Sequence, residues 1–296
     1  MPSTEARMVG EWTPGRVFYR VLVYALLAAA AIYFLIPFFV MVVTSIKTMA
    51  DIRSGNLISM PSEIDFEAWK KAWGSACIGV NCVGLKGYFL NSVRMVVPAV
   101  VFSTLIGAVN GYVFSKWRFR GSETFFFFLL LGCFIPFQVI LLPMSRTLGW
   151  LGMAQRIRGL ILVHTIYGLP FTSLFFRNYY VAIPDELVEA AKIDGASFFK
   201  IFWRIFLPIS GPIFVVAIIW QTTQIWNDFL FGVCFSGSDS QPITVALNNL
   251  VNTSTGVKEY NVDMAAAIIA GIPTLLVYII SGKYFVRGLT AGAVIG

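Results

Sequence analysis

Six apolar runs divide this 296-residue chain, at about 21–43, 92–114, 124–143, 157–176, 213–235 and 264–285. Each is close to the ~20 residues with which an α-helix crosses the ~30 Å hydrocarbon core of a bilayer. Hydrocarbon offers the backbone no hydrogen-bond partner, so each run must satisfy its own peptide groups as a helix. The expected fold is therefore an all-α polytopic membrane protein with six transmembrane helices. Composition agrees: 57% of residues are hydrophobic and 12% charged, against about 45–50% and about 25% in soluble domains. The run 21–43 follows Arg16 and Arg20. It exceeds the apolar region of a signal peptide and reads as an uncleaved first span.

The segment 184–208, PDELVEAAKIDGASFFKIFWRIFLP, lies between the fourth and fifth runs and cannot cross a membrane. Asp185, Glu186, Glu189, Lys192, Asp194, Lys200 and Arg204 load it with charge that hydrocarbon excludes. It reads as two short helices at the membrane surface, broken at Gly195. Pro184 suits a first helical position, and Asp185 and Glu186 suit the first turn, where the helix dipole favours anions. Leu187, Ala191, Gly195, Phe198, Phe202 and Phe206 form an apolar stripe at steps of three and four. Pro208 is expected to end the second helix. Periodicity alone fits an amphipathic connector lying flat on lipid equally well.

The remaining segments set the topology. Residues 1–20 form a polar arm, 44–90 and 236–263 are polar loops, and 287–296 is a tail. Lys116, Arg118 and Arg120 make the densest basic cluster, and Lys192, Lys200 and Arg204 fall in the charged segment. Because Lys and Arg collect on the cytoplasmic side, both termini and 184–208 are expected in the cytoplasm. Arg146 and Arg156, in a short loop then facing outward, fit this less well. The net charge of +7 thus reports topology rather than a nucleic-acid partner. No glycine-rich phosphate loop of the Walker type appears, so energy from ATP would have to come from another chain.

Glu189-Ala190-Ala191, three residues, Gly195, nine residues, then Ile205-x-Leu207-Pro208 resembles the EAA motif of ATP-binding-cassette importer permeases. Ile135-Pro136-Phe137-Gln138, Gly168-Leu169-Pro170-Phe171 and Trp226-Asn227-Asp228-Phe229 are similar to the carbohydrate-importer branch, and within it to the maltose-permease G-type subunit. The resemblance implies a permease that is not itself an enzyme, coupled by Glu189, Ala190, Ala191, Gly195, Ile205, Leu207 and Pro208 to a separate ATPase. It further implies a second permease subunit, two ATPase subunits holding ATP and Mg, and a periplasmic or extracellular sugar-binding protein. The chain would then sit in a bacterial inner membrane and move a sugar, such as the monosaccharides glucose or mannose, by alternating access. An ion-gradient-driven secondary transporter is the rival reading, but it leaves 184–208 unexplained and lacks a clear inverted repeat.

Polar residues within spans mark candidate substrate contacts. Gln221, Gln224 and Asp228 share one helical face at i, i+3 and i+7, with Asn227 beside them. Amide and carboxylate groups suit hydroxyl-rich sugars, though contact with a partner subunit or interface solvation would use the same residues. Gln138, between Pro136 and Pro143, is a further candidate that would help a broken third span line the path, and packing is an equal explanation. His164, without a second ligand, reads as an interhelical hydrogen-bonding residue rather than a metal ligand. Cys77 and Cys82, in a loop expected outside, read as a disulfide, and Cys133 and Cys234 as small apolar fillers. No metal site is expected. The tail 288–296 has three glycines and no charge, so it cannot hold a helix by propensity. The family likeness implies that it orders between the ATPase subunits.

Overall fold

A computed structural model describes residues 14–56, 58–252 and 258–293. In chain order the helices are α1 (Pro14–Ser45), α2 (Met49–Ser54) and α3 (Glu67–Gly74), followed by a hairpin of β1 (Cys77–Ile78) and β2 (Asn81–Cys82). Then come α4 (Lys86–Lys116), α5 (Ser122–Leu131), α6 (Phe137–Trp150) and α7 (Ile157–Val181). The segment after α7 holds α8 (Glu186–Ile193), α9 (Phe198–Ile201), a π-helical turn (Phe202–Phe206) and α10 (Leu207–Ile209). The chain continues through α11 (Gly211–Asn227), α12 (Leu230–Phe235), α13 (Ile243–Val251) and α14 (Tyr260–Ala293).

Among the described residues four helices are long and apolar enough to cross a membrane, within α1, α4, α7 and α14. A fifth span arises if Phe198–Ile209 and Gly211–Asn227, bent by 78°, count together. The expected run 124–143 is not one helix: α5 stops at Leu131 and α6 starts at Phe137. Pro136 explains the break, since it lacks an N–H and excludes helical geometry from the residue before it. The expected span 213–235 is likewise interrupted, with Asp228 extended at φ −64°, ψ 129° between α11 and α12. Helix α1 starts at Pro14, inside the expected arm; residues 1–13 lie outside the described residues. The tail differs too, because α14 runs on to Ala293. Extending an existing helix avoids the nucleation cost that disfavours such a sequence alone; residues 294–296 lie outside the described ones.

The chain forms two compact units. One runs up to Trp69 and includes Glu259–Ala265. In it Lys47, only 2% exposed, donates from Nζ to Ser59 Oγ at 3.0 Å and Asn56 O at 3.2 Å. The Thr48 hydroxyl caps α2 by accepting from Asp51 N at 3.2 Å, the role for which short oxygen side chains are favoured. These contacts order part of the expected polar loop 44–90.

The second unit comprises Lys70–Lys258 and the chain from Ala266 onward. In it Cys77 pairs with Cys82 across the hairpin, and the two are disulfide-bonded. Cys234 is exposed and fills no core, while Cys133 is half-buried. The unit is built on the long contact of α4 with α7, set by small residues. A Cβ on Gly107 would lie 2.3 Å from Thr172 Oγ1, and one on Gly111 would lie 2.6 Å from the backbone nitrogen of Arg177. With no side chain at either position the backbones approach closely, and polar groups pair between them. Thr172 Oγ1 donates to Ser103 O at 2.9 Å, and Asn110 Nδ2 to Ser173 Oγ at 3.1 Å.

A larger residue at Gly111 must therefore push backbone rather than a flexible tip. Gly111→Leu is expected to destabilise the folded protein by about 1–3 kcal/mol, the usual cost of overpacking. Thermal unfolding in detergent would show this as a lowered midpoint, and an unchanged midpoint would mean that α4 and α7 do not rely on this approach.

Candidate functional site

The segment Glu186–Ile209 is held against the ends of α4 and α7 by an aromatic cluster. Tyr112 of α4, fully buried, stacks within 5.0 Å of Phe198, 5.4 Å of Phe202 and 4.7 Å of Phe206 between ring centroids. Phe206 also meets Tyr180 of α7 edge-on at 5.2 Å. Full burial of such side chains stabilises by about 1.5–3 kcal/mol each, so this short segment is anchored chiefly by its phenylalanines. Leu187, assigned above to the apolar stripe, is exposed, and Val188 is buried in its place. The stripe thus enters α8 one residue later than the spacing suggests.

Gly195 joins the two helical pieces at φ +73° with open space around it. Backbone conformation, not crowding, is what calls for glycine there. The second piece does not end at Pro208, since α10 continues to Ile209. The turn before it is π-helical, and Leu207 N bonds Phe202 O, five residues back. That wider turn eases the clash between a proline ring and the carbonyl four residues earlier. Nor does α8 begin at Pro184; its first residue is Glu186. Glu189, Ala190, Gly195 and Pro208 are exposed, Ile205 and Leu207 are half-buried, and Ala191 is buried.

Charged side chains add contacts around this segment: to the turn before α8, between α7 and α5, and from α8 to the end of α4. Lys116, at the end of α4, reaches Asp185 at 2.5 Å and also donates to Ile183 O. Arg177 pairs with Glu123 at 3.0 Å and stands 4.3 Å above the Phe126 ring. Lys192 stands 4.5 Å above Trp117. The hydrogen bond from Lys116 holds the Asp185 carboxyl below its ordinary range.

At the other end of α11 a cavity of about 460 Å³ opens between α7, α11 and the turn before α12. Gln221, Gln224, Asn227 and Asp228 all line it. Gln138 is exposed and absent from the lining, where the neighbouring Phe137 takes part instead. Sequence reasoning missed the opposite wall, which α7 supplies with His164, Tyr167, Gly168 and Phe171. Three of these, His164, Gly168 and Phe171, recur at i, i+4 and i+7, the same one-face spacing that picked out the glutamines. His164 Nε2 lies 3.8 Å from Asp228 Oδ2, beyond hydrogen-bonding reach. Asp228 accepts backbone N–H groups from Gly232 at 3.1 Å and, longer, Phe231 at 3.4 Å, so its carboxylate starts α12. The Gln221 amide lies directly over Gly168, where a Cβ would fall 1.9 Å from Nε2.

Residues 95–291 match the family described as binding-protein-dependent transport system inner membrane component. A probable ABC transporter permease protein of Pyrococcus horikoshii is 48% identical over 188 residues, covering 63% of this chain and 68% of that protein. The xylose/arabinose import permease protein XacI of Haloferax volcanii is 32% identical over 295 residues, with 93% of each chain covered. A chain from the crystal structure of a bacterial ABC transporter that imports the acidic polysaccharide alginate has the same fold. It matches with a TM-score of 0.81 at 22% identity, covering 93% of this chain and 99% of that one.

The Asp185 clamp carries a pH signature. Its carboxyl is more acidic when folded, so the pair contributes stability above the unfolded carboxylate value, near 3.8. That contribution disappears as pH falls through the depressed folded value. Asp185 is largely exposed, which keeps the effect small. Asp185→Asn is expected to lower thermal stability slightly at neutral pH and to equal wild type in acid; a pH-independent difference would remove the pair from the account.

Proposed function

This chain belongs to the family of binding-protein-dependent transport system inner membrane components, and on that premise we propose that it is the permease subunit of an ATP-driven sugar importer. One continuous stretch carries the reading. The second piece of the anchored segment, Phe198–Ile209, turns by 78° into α11, and α11 bears polar residues of the cavity. A push on the segment is thereby linked to the place where a substrate would pass. Exposed Glu189, Ala190 and Gly195, with Ile205, Leu207 and Pro208 behind them, form the surface on which an ATPase subunit docks. ATP and its magnesium belong to that partner, and this chain supplies motion and a path rather than bond chemistry.

The full complex comprises this chain, a second permease subunit, two ATPase subunits and an external sugar-binding protein. It works in the inner membrane with both termini of this chain in the cytoplasm, as the basic flanks favour. The cargo is a sugar of monosaccharide size, such as glucose or mannose; the pentoses in the name of the Haloferax relative support that size class. Gln221, Gln224, Asn227 and Asp228 line the path. The end of α14 and the residues after it reach between the ATPase subunits.

Three measurements test this. The reconstituted complex should take up labelled glucose, mannose or xylose only with ATP, and uptake that follows an ion gradient without ATP would overturn the proposal. Glu189→Lys should leave the protein inserted while ATPase co-purification and uptake both fall severalfold; normal uptake at normal expression would detach Glu189 from coupling. Deleting 289–296 should lower stimulated ATPase activity while the permease pair still assembles. Wild-type stimulation from the truncated complex would leave the tail without a role.

A further inference from the structure

Two buried nitrogens in the α7–α11 cavity have no partner among the described residues: His164 Nε2 and Gln221 Nε2. Their residues are 5% and 3% exposed, and both line the cavity. A buried polar group left unpaired is costly, because it has given up its hydrogen bonds to water without replacement. Two in one cavity therefore call for something that fills it and bonds them. The two residues come from different helices and both line the cavity. Gly168 adds to this, since its missing side chain is what lets the Gln221 amide reach the α7 backbone.

The rest of the wall says what the occupant is. The Asp228 carboxylate lies 3.8 Å from His164 Nε2; a hydroxyl set beside the pair reaches both at hydrogen-bonding distance. Trp220 and Tyr167 offer aromatic faces beside these polar groups. A volume of about 460 Å³ lies in the lower part of the range for small-molecule pockets, about 300–1,000 Å³. It has room for a sugar ring. Among the residues lining the cavity, Asp228 is the only acid and no lysine or arginine occurs. A carboxylated sugar would bring a second carboxyl group beside Asp228, with no basic residue in the lining to offset it.

We propose that this cavity is a binding subsite for one uncharged pyranose or pentose ring, held by His164, Gln221 and Asp228, and that Asp228 rejects acidic sugars. The subsite lies in this chain and not only in its permease partner. The proposal rests on the sugar-importer reading above.

The test uses the full complex of permeases and ATPase subunits in detergent, without the binding protein, and then in proteoliposomes with it. Equilibrium binding of labelled glucose, mannose and xylose is measured for wild type, His164→Ala and Gln221→Leu. Loss of one such hydrogen bond weakens binding by about tenfold, and sugar moved per ATP hydrolysed should fall with it. Asp228→Asn should narrow the preference for glucose over glucuronate by about tenfold. Co-purification of the ATPase subunits reports that each variant is assembled. If Asp228→Asn assembles poorly, Gly168→Ala, which displaces the Gln221 amide, takes its place, with weakened glucose binding expected. Wild-type complex that transports sugar while assembled variants keep wild-type binding and preference overturns this subsite and leaves the importer reading intact. Wild-type complex that moves no sugar with ATP overturns both.

Discussion

The close approach of α4 to α7 is the contact on which the second unit depends. Gly107 and Gly111 remove two side chains, and Thr172 and Phe176 lie where those would be. In a membrane no hydrophobic drive joins helices, because lipid tails are as apolar as leucine, so fit and interhelical hydrogen bonds must do so. The pair then serves two sites at once. One end of it presents Tyr112, Lys116 and Tyr180 to the segment Glu186–Ile209. Further along α7, His164 and Gly168 face α11. A change of spacing between α4 and α7 would disturb both.

Much of this was legible from residue order because hydrocarbon imposes length. The apolar runs at 92–114 and 157–176 fall inside α4 and α7; α4 extends past both ends of its run, and α7 starts with its run and continues five residues beyond it. Gly195 marked the break between α8 and α9 because little else tolerates φ +73°. Where sequence reasoning failed, a local rule was outweighed by its neighbours. Pro208 looked like a terminator, yet a π-turn upstream absorbs it. The tail looked too glycine-rich for a helix, yet α14 carries it onward. Pro136 and Pro143 suggested a broken third span, and the break falls just before Pro136, whose backbone chemistry cannot continue the helix.

The cavity was half legible for a related reason. Polar residues within apolar runs are conspicuous, so Gln221, Gln224 and Asp228 stood out against their surroundings. Their partners on α7 did not, since Tyr167, Gly168 and Phe171 are ordinary in a membrane helix. Only the packing of α7 on α11 turns aromatic rings and a glycine into the wall opposite those amides. His164 was read as an interhelical hydrogen-bonding residue, yet its Nε2 has no hydrogen-bond partner among the described residues, and Asp228 Oδ2 lies 3.8 Å away. Gln138 shows the opposite error, a polar residue one position from a lining residue yet exposed elsewhere.

Helix α11 is what joins the two sites. Its 17 residues make a rod of about 25 Å at 1.5 Å per residue. Both ends are breaks: Ser210 lies at the 78° bend, and Asp228 is extended. At the first break Ser210 Oγ donates to Tyr180 OH at 2.8 Å, so the rod is pinned to the same α7 that lines the cavity. Breaks at element ends are where large backbone rotations are absorbed in hinge motions. In the proposed cycle a displacement of Glu186–Ile209 therefore need not deform α11. It can tilt the rod about Ser210, sliding Gln221 and Asp228 past His164 and Gly168. The polar groups that would hold a sugar lie on two elements with a hinge between them, which is what alternating release of a bound ring requires.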